Sequence, residues 1–460
     1  MILTTSLCEI GVPASKRIMP AGYRSAKIDS REIRKGDLFL AIEGENSDGH
    51  DFVGDAFSRK AGAAVVDVRW MKKHGRDHSD YVLFGVEDTV SALGDLARLH
   101  RARYDVPVLC IGGANGKTTT KDLVSAVLAT KYRVLKTEGN LNNHLGLPMT
   151  LLNLNKEHEF CVLEVGCSHF GEIKYLCGIA IPTAGLVTNI GREHLEFFKD
   201  LDGVARAEFE LYDFLKSEED TVSFFNLDDS HIRKYSKSIP HERKCTYSYG
   251  FEPDVKGKFK GYGKDLQPRF EVTAKGHSFE VQVSTFGKHS IYNGLAAAAV
   301  GDHFGIPKAM IRKALKSFTP SSSKRMEVLK HNGMLIVNDS YNSNPDSVKM
   351  GLETMMEAGV SGERHAVLGD MLELGKASTE EHSRIGRIAR KLGVRNLYTY
   401  GKESLATFRG AKGVKNNFHF ESKEDLAELL TRRIRKGDLV YVKGSRGMKM
   451  EEIINSITGK

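Results

Sequence analysis

The chain has 460 residues, of which 40% are hydrophobic and 27% are charged, and its formal net charge is +8 at neutral pH. This length exceeds what a single hydrophobic core holds and predicts about three domains. The basic residues are scattered, and no basic run alternates with aromatic residues, so nucleic acid is disfavoured as a partner. Phosphorylated small molecules fit the charge better, with a merely solvated basic surface as the alternative.

The six cysteines form no Cys-x-x-Cys pair. A zinc site built from Cys161, Cys167, Cys177 and His169 is disfavoured because the spacing matches no known zinc cluster. The first 17 residues lack the basic and apolar regions of a signal peptide, and no apolar run is long enough to span a bilayer. We therefore expect reduced thiols in a cytoplasmic protein that is not stably inserted in a membrane, and we expect a monomer.

In chain order, the first hundred residues contain two strand-like segments, 36–42 and 62–68, and a helical segment, 89–104. Pro107 then opens a longer region in which strands alternate with segments of helix length. The strand-like segments of this region are "VPVLCIGG" (106–113), "FCVLEVG" (160–166), "TAGLVTNIG" (183–191) and "TVSFFNLDD" (221–229). This alternation predicts a mostly parallel sheet that is covered by helices on both faces.

Between residues 245 and 287 the pattern alternates as in β-strands, which predicts antiparallel strands at the edge of that sheet. A helix over 290–305 follows, and a Pro/Ser cluster at 317–325 marks a boundary. Beyond it, strand-like segments recur at 333–341, 365–371, 396–401 and 438–445. The sequence thus predicts an α/β protein with domains at 1–104, 105–320 and 321–460, the last containing a second, smaller open sheet.

The segment "CIGGANGKTTTKDL" (110–123) lies between a predicted strand and a predicted helix, as a phosphate-binding loop does. Lys117 is positioned to reach the β- and γ-phosphates of ATP or GTP, and Thr118 to bind Mg²⁺. Ile111 stands where the general motif has its first glycine. A simple turn that opens a helix is the alternative interpretation.

Polar residues follow several predicted strands, at the edge where ligands bind in open α/β sheets. Glu164 and His194 each follow one strand, and a carboxylate with an imidazole suits a divalent cation. The alternatives are a salt-bridged glutamate and a surface histidine.

In the second predicted sheet, "NDSYNSNP" (338–345) concentrates polar groups after a strand, although turn chemistry alone also explains its asparagines. Lys443 and Arg446 follow the last strand and could hold an anion, or form a solvated basic loop.

Seven segments occur in an order similar to the Mur ligases: "GKTTTK", "EGNLNNHLGLPMTLL", "LEVG", "HLE", "GKHSIYNGLAAAA", "NDSYNSNPDS" and "VLGDMLELG". The segment 29–52 resembles the uridine-nucleotide-binding domain of that family. The resemblance covers nearly the whole chain. The most specific parts of the resemblance are the segments "DSYNSNPDS" and "LGDMLELG". They are similar to the branch of the family that adds D-alanyl-D-alanine.

The resemblance implies a three-domain, ATP-dependent amide ligase with an N-terminal UDP-binding domain, a central P-loop ATPase and a C-terminal Rossmann-like domain that binds the dipeptide. In this family ATP, with Mg²⁺, phosphorylates the terminal carboxylate of UDP-N-acetylmuramoyl-tripeptide, and the amine of D-alanyl-D-alanine attacks the acyl phosphate. A ligase that adds a single amino acid, a non-ligating P-loop protein and a relative that has lost catalysis are the alternatives.

The resemblance also implies site residues by position. Nucleotide contacts are implied at Gly113, Asn115, Gly116, Lys117, Thr118, Thr119, His289, Asn293 and Arg325. Substrate contacts are implied at Asp29, Ser30, Arg31, Asn140, Asn142, Asn143, Tyr341, Asn342 and Asn344. Catalytic roles are implied for Lys117, Glu164, His194, Glu208 and Asp339, and metal ligation for Thr118, Glu164, His194 and Glu208.

One position departs from the family pattern. Mur ligases usually carry a lysine, carbamylated by CO₂, on the helix after the metal-binding histidine, and its carbamate holds a second Mg²⁺. The segment 203–212 aligns with that helix without gaps, and Glu208 occupies the position of the lysine. A glutamate brings a permanent carboxylate, which predicts a second metal site that needs no CO₂. An exposed helix glutamate is the alternative.

Overall fold

The structure is a computed structural model that describes residues 1–13, 19–44, 46–263, 267–284, 286–287, 289–319 and 324–459. The described residues form three larger sheets, of five, nine and six strands, and one two-stranded ribbon. Helices pack on these sheets, so the predicted α/β fold class is confirmed. The predicted boundary between residues 320 and 321 lies outside the described residues.

The N-terminal sheet has the order β2-β7-β6-β5-β4 and is parallel except for the β2–β7 pair. The strands of this region are β1 (Ile2–Leu3), β2 (Val12–Pro13), β3 (Gly22–Tyr23), β4 (Ala26–Lys27), β5 (Leu38–Leu40), β6 (Ala63–Asp67) and β7 (Leu83–Val86). Its helices are α1 (Thr4–Ile10), α2 (Val53–Ser58), α3 (Val68–His74) and α4 (Thr89–Arg101).

Both faces of the N-terminal sheet are buried, which explains its continuous apolar strands. Leu38 and Leu40 join the core that includes residues of α4, whereas Phe39 joins the core that includes residues of α2. Helix α4 ends three residues before the predicted segment does. Its last residue, Arg101, is buried and donates hydrogen bonds to the carbonyls of Ala180 and Val106, which fixes this helix to the central region.

The central sheet has the order β16-β15-β14-β13-β12-β11-β8-β10-β9. Its strands are β8 (Val108–Gly112), β9 (Val134–Lys136), β10 (Phe160–Glu164), β11 (Ala184–Val187), β12 (Val222–Asn226), β13 (Lys244–Ser248), β14 (Val255–Tyr262), β15 (Pro268–Ala274) and β16 (His277–Gln282). Its helices are α5 (Lys117–Leu128), α6 (Gly146–Leu151), α7 (Glu172–Ala180), α8 (Leu195–Phe198), α9 (Leu201–Glu208), α10 (Glu210–Ser217), α11 (Ser230–Ser236), α12 (His289–His303) and α13 (Lys308–Ser317).

The predicted antiparallel edge is confirmed for β14, β15 and β16. The prediction is wrong for β13, which pairs in parallel with both of its neighbours. The β12–β13 connection contains a helix, α11, and such a crossover produces parallel pairing. The β13–β14 pair is parallel although residues 249–254 between the two strands form no helix, so the change in sequence texture did not mark where antiparallel pairing begins.

The C-terminal sheet has the order β17-β18-β22-β19-β20-β21 and is parallel except for the β17–β18 pair. Its strands are β17 (Glu327–His331), β18 (Met334–Asp339), β19 (Arg364–Gly369), β20 (Asn396–Tyr400), β21 (Asn416–Phe420) and β22 (Leu439–Lys443). Its helices are α14 (Pro345–Glu357), α15 (Ser378–Lys391), α16 (Ser404–Gly410), α17 (Lys423–Arg433) and α18 (Glu451–Thr458). A second, smaller sheet is thereby confirmed.

The carboxyl ends of β8, β10 and β11 lie at one edge of the central sheet, with Glu164 opposite Ile111 and Val187 opposite Gly112. The loops that leave these strands therefore meet at the N-terminus of α5. Within the described ranges, no helix combines the length and the apolar character that a membrane span requires.

Candidate functional site

The phosphate loop, residues 113–117, leaves the interior strand β8 and leads directly into α5. Gly113 and Gly116 have positive φ angles, of 111° and 82°. A Cβ atom at Gly113 would collide with the hydroxyl of Thr188, and one at Gly116 would lie 2.7 Å from Oδ1 of Asn293. Both positions therefore require glycine, and the backbone conformation leaves the start of α5 open to an anion.

Lys117 projects from the first turn of α5 towards acidic groups. Its Nζ donates to the carbonyl of Gly113 and lies 3.5 Å from Oε2 of Glu193. Burial works to lower the pKa of Lys117, but the carboxylates of Glu193, Glu208 and Glu164 outweigh it, and the pKa is raised above its usual value. Lys117 is thus a fixed positive charge at the loop.

Two buried carboxyl groups flank the loop, and each is anchored through one oxygen only. Oε1 of Glu164 accepts a hydrogen bond from Nδ2 of Asn142 at 2.8 Å, and Oε2 of Glu208 accepts one from the N–H of Gly113 at 2.6 Å. Glu164 is 2% exposed and its Oε2 lies 4.0 Å from Nζ of Lys121, so the alternative of a salt-bridged glutamate remains open for Glu164. Glu208 is 1% exposed, so the alternative of an exposed helix glutamate does not hold for it. Glu208 therefore lies under the phosphate loop rather than on an exposed helix face.

The remaining oxygens of these groups supply a test of whether Mg²⁺ fits. Oε2 of Glu164 and Oγ1 of Thr118 are buried and find no hydrogen-bond partner among the described residues, and Oε1 of Glu208 finds none apart from the carboxyl group of Glu193. Buried polar atoms are normally paired, and a divalent cation is the partner that oxygen ligands of this kind favour. No cluster of three or more histidine, cysteine or acidic side chains in the described ranges could hold a metal alone. The site fits Mg²⁺ that also takes oxygens from a bound phosphate.

Burial, assisted by the nearby carboxylate of Glu193, raises the pKa of Glu208 to about 8 against the opposing charge of Lys117. Without a bound cation, this carboxyl group therefore takes up a proton more readily than an exposed glutamate does. The sequence does not reveal how deeply the side chain is buried, and this burial opposes the permanent charge that was expected at Glu208.

His194, the fourth predicted metal ligand, lines the same cleft and also contacts another carboxylate. Its backbone has a positive φ of 47°, and its Nδ1 lies 2.8 Å from Oε2 of Glu373, which belongs to the C-terminal region. The contact with His194 lowers the pKa of Glu373. The imidazole thus links the loop after β11 of the central sheet with the loop after β19 of the C-terminal sheet.

A central cleft of about 920 Å³ brings together most of the predicted site residues. Those that line it are Asn115, Gly116, Lys117, Thr119, Asn140, Asn142, Asn143, Glu164, His194, Asn293, Arg325, Asp339, Tyr341, Asn342 and Asn344. Gly113, Thr118 and Glu208 are not among the lining residues and are buried beneath the loop. The side chain of His289 lies outside the described residues.

The wall opposite the phosphate loop, residues 339–344, is held by an ion pair. Oδ2 of Asp339 accepts hydrogen bonds from Nζ of Lys443 at 2.6 Å and from the hydroxyl of Tyr441 at 3.1 Å. Lys443 also donates to the carbonyl of Asn342 at 2.9 Å. The ammonium of Lys443 is buried, and its two contacts stabilise the conformation of residues 339–344.

Two arginines approach the ring of Tyr341 on that wall. The guanidinium of Arg325 lies 4.0 Å from the ring centroid, and that of Arg446 lies 5.9 Å away. Nε of Arg325 is buried without a hydrogen-bond partner in the described part of the chain, whereas Arg446 pairs with Glu451 at 3.1 Å. Arg325 therefore retains a donor that a ligand in the cleft can use.

Asp29, Ser30 and Arg31 do not line the central cleft. Asp29 lines a second cavity of about 1230 Å³, between the N-terminal and central sheets. Arg31 lies 2.6 Å from Asp29 and lowers the pKa of that carboxyl group to about 2, while Ser30 donates to Asp55. Residues 138–143 supply the walls of both cavities, with Leu141 facing the second and Asn142 the first.

Sequence reasoning missed two charged residues of the site. Glu193 is the counter-ion of Lys117, and only its position next to His194 hinted at it. Lys121 is 1% exposed, donates to the carbonyl of Thr137 at 2.7 Å and lies 4.0 Å from Oε2 of Glu164. Its spacing of one helical turn from Lys117 was the available signal.

Comparison with known proteins agrees with this arrangement. Family models match residues 23–100 (Mur ligase family, catalytic domain), 111–301 (Mur ligase middle domain) and 324–446 (Mur ligase, glutamate ligase domain). The chain is 35% identical to the UDP-N-acetylmuramoyl-tripeptide–D-alanyl-D-alanine ligase of Bacillus subtilis (strain 168), with 93% of this chain and 92% of that protein covered.

Two crystal structures are similar over the whole fold. MurF from Acinetobacter baumannii superimposes with a TM-score of 0.88 and 27% identity, with 100% of this chain and 99% of the other covered. MurF from Thermotoga maritima in complex with ADP superimposes with a TM-score of 0.82 and 29% identity, with 95% and 97% covered. From the three matching family models and the full-length relatives, we conclude that the chain belongs to the Mur ligase family.

Proposed function

We propose that the protein is an ATP-dependent, ADP-forming ligase that joins D-alanyl-D-alanine to UDP-N-acetylmuramoyl-tripeptide in the synthesis of peptidoglycan precursors. The observation that carries the proposal is the central cleft. In this cleft Lys117 lies opposite the wall at 339–344, together with Oε2 of Glu164, which makes no hydrogen bond to the described residues. The Bacillus subtilis relative, which is 35% identical over 93% of this chain, bears the name of this activity.

In this proposal the phosphate loop binds the triphosphate. The backbone N–H groups at the start of α5 and the ammonium of Lys117 offset its negative charge. Thr118, Glu164 and Glu208 would hold Mg²⁺, with His194 at the rim of the same edge. A bound Mg²⁺ neutralises phosphate charge and makes the γ-phosphorus a better electrophile.

The reaction then proceeds in two displacements. The terminal carboxylate of the tripeptide attacks the γ-phosphorus, and ADP leaves, which produces an acyl phosphate. The amine of the dipeptide attacks the acyl carbon, and inorganic phosphate leaves as the amide bond forms, with release of one proton. Lys117 remains beside the transferred group and offsets its charge through both steps.

The two cavities suggest how the long substrate is held. The UDP-sugar would lie in the second cavity near Asp29, and the peptide would cross residues 138–143 so that its carboxylate enters the central cleft. Tyr341, Asn342 and Asn344 would then seat the dipeptide. We assign the UDP-sugar to residues 1–104, ATP to residues 105–320 and the dipeptide to residues 321–460.

We also infer that the reaction takes place in the cytoplasm. ATP and UDP-linked precursors are cytoplasmic metabolites in this scheme, and all six cysteines are free thiols, as a reducing compartment favours.

Release of phosphate tests the proposal when each substrate is omitted in turn. We expect release only when ATP, Mg²⁺, the UDP-linked tripeptide and the dipeptide are all present, with product detected by mass. A panel of amines separates the alternatives. Release with a single amino acid in place of the dipeptide would indicate another ligase of the family. Release without any amine would contradict ligation and indicate a nucleotide hydrolase.

A further inference from the structure

We propose that Arg192, Asp346, Glu381 and Arg384 form a closure latch, a charge cluster that holds the C-terminal sheet over the phosphate loop. Arg192 lies in the loop that follows β11 of the central sheet. The other three residues lie on α14 and α15 of the C-terminal region. The effect of the latch on substrate KM is inferred on the basis of the proposed ligase activity.

The contact at the centre of the latch joins Arg192 and Asp346 at two points. The backbone N–H of Arg192 donates to Oδ2 of Asp346 at 2.8 Å, and Nη1 of Arg192 donates to Oδ1 at 3.0 Å. Two charge-assisted bonds from one residue fix both the distance and the orientation of α14 relative to the loop.

A second pair of residues closes the cluster. Nε of Arg192 lies 3.3 Å from Oε1 of Glu381, whose Oε2 accepts from Nη1 of Arg384 at 2.6 Å. Nη2 of Arg384 in turn lies 3.9 Å from Asp346. The four side chains are between 14% and 30% exposed, so solvent and salt screen them less than a fully exposed pair.

The latch stands next to the reacting edge without lining the central cleft. Asn344 precedes α14 and donates through Nδ2 to Oδ1 of Asn115 in the phosphate loop at 3.0 Å. A Cβ atom at Gly191 would lie 3.0 Å from Ala114 and 3.4 Å from Asp346, so the loop, the helix and the phosphate loop are closely packed. Movement of α14 would therefore displace the wall at 339–344 from the phosphate loop.

Arg192 is accordingly a positioning residue, because it touches the C-terminal helices and not the reacting atoms. Loss of the latch is expected to favour open arrangements of the C-terminal sheet. The dipeptide, which needs the two walls together, is then bound less well, while the phosphate loop itself is intact. KM for the dipeptide should rise more than KM for ATP.

The test compares Arg192→Met, Asp346→Asn and the double variant, with Arg387→Met as the matched control. Arg387 pairs with Glu380 on the same helix, at 2.5 Å, and does not reach the central sheet. Each single variant should raise KM for the dipeptide about fivefold to tenfold, as expected for a partly exposed charge network. Small-angle X-ray scattering should give a larger radius of gyration, and Arg387→Met should behave as wild type.

The double variant should be no worse than the more severe single variant, because both changes remove the ion pair between the guanidinium of Arg192 and the carboxylate of Asp346. Unchanged KM and radius of gyration in Arg192→Met and Asp346→Asn would overturn the inference, as would fully additive effects. Asp346→Asn preserves the shape of the side chain, and it provides the test if Arg192→Met folds poorly. If wild type forms no amide, the proposed function fails, and the scattering comparison still tests the latch.

Discussion

The two walls of the central cleft differ in how they satisfy their own polar groups. On the phosphate-loop side, Thr118 and Glu164 each retain a buried oxygen without a hydrogen bond in the described ranges, and Glu208 retains one with none apart from the carboxyl group of Glu193. On the opposite side, the carboxylate of Asp339 is paired with Lys443, and the buried atoms without a hydrogen bond to the described residues are Nε of Arg325 and the hydroxyl of Ser343. The difference teaches that the acidic groups of the first wall leave oxygens for a cation, while the acidic group of the second wall maintains the shape of a loop.

Loss of Lys117 tests the wall formed by the phosphate loop and should have the largest effect on activity. Lys117→Ala removes the cation that offsets the triphosphate charge, and kcat should fall by about 10²–10³-fold. Lys234→Ala, at an exposed position of α11, is the control and should retain wild-type activity. The measurement is phosphate release under saturating substrates. Activity within a factor of three of wild type would contradict the assignment.

Loss of Lys443 tests the wall at residues 339–344 and should lower the free energy of unfolding. Lys443→Met leaves Asp339 buried without its cation, and the free energy of unfolding should fall by about 3 kcal/mol. Urea unfolding measures this change. The variant Lys443→Met/Asp339→Asn should recover much of the loss because the uncompensated charge is gone. If the single variant were as stable as wild type, the ion pair would not maintain this loop.

Much of this contrast could not be predicted from the sequence. The order of strand, glycine loop and lysine predicted the phosphate-binding side, because local backbone chemistry determines it. The roles of Lys443 and Glu208 depend on tertiary burial. Lys443 was predicted to hold an anion, and the structure places its ammonium against Asp339, 104 residues away in the chain. Glu193 and Arg192 were missed because their partners lie in other elements.

The edge strands β17 and β21 were missed for a related reason. Their residues are mostly half-buried, so they lack the continuous apolar run that identified the interior strands. The interior strands β8, β10 and β18, by contrast, were predicted close to their observed bounds, since burial on both faces gives them a strong apolar signal.

A buried histidine in the C-terminal region, His365, should make a smaller, pH-dependent contribution to the free energy of unfolding. Burial lowers the pKa of His365, despite its contact with Asp438 at 3.2 Å. Below about pH 6.5 the unfolded chain binds a proton that the folded chain binds less readily, so this stability is present at high pH and lost as the pH falls. The loss should therefore develop between pH 7.5 and pH 5.5.

This loss is measured as the difference between wild type and His365→Gln, by urea unfolding at both pH values. The difference cancels the opposite contribution of Glu208, whose raised pKa favours the folded state as the pH falls. His241→Gln, at an exposed site, is the control. Equal pH dependence in wild type and His365→Gln would contradict the role of burial.

Dissolved CO₂ should have no effect on the rate. In the proposed metal site Glu208 already provides a carboxyl group, so rates in CO₂-depleted and bicarbonate-supplemented buffer should be equal. Glu208→Gln provides the comparison, because it removes a charged oxygen and should raise the Mg²⁺ concentration needed for half-maximal rate about tenfold. A strong bicarbonate rescue of wild type would reject this interpretation of Glu208.

The central claim is that the cleft transfers a phosphoryl group to a carboxylate before the amide forms. It is tested most directly with UDP-linked tripeptide labelled with ¹⁸O in its terminal carboxylate, followed by mass analysis of the released phosphate. The account predicts that each phosphate carries one oxygen from the labelled carboxylate. Phosphate that contains no label while the amide product accumulates would contradict it.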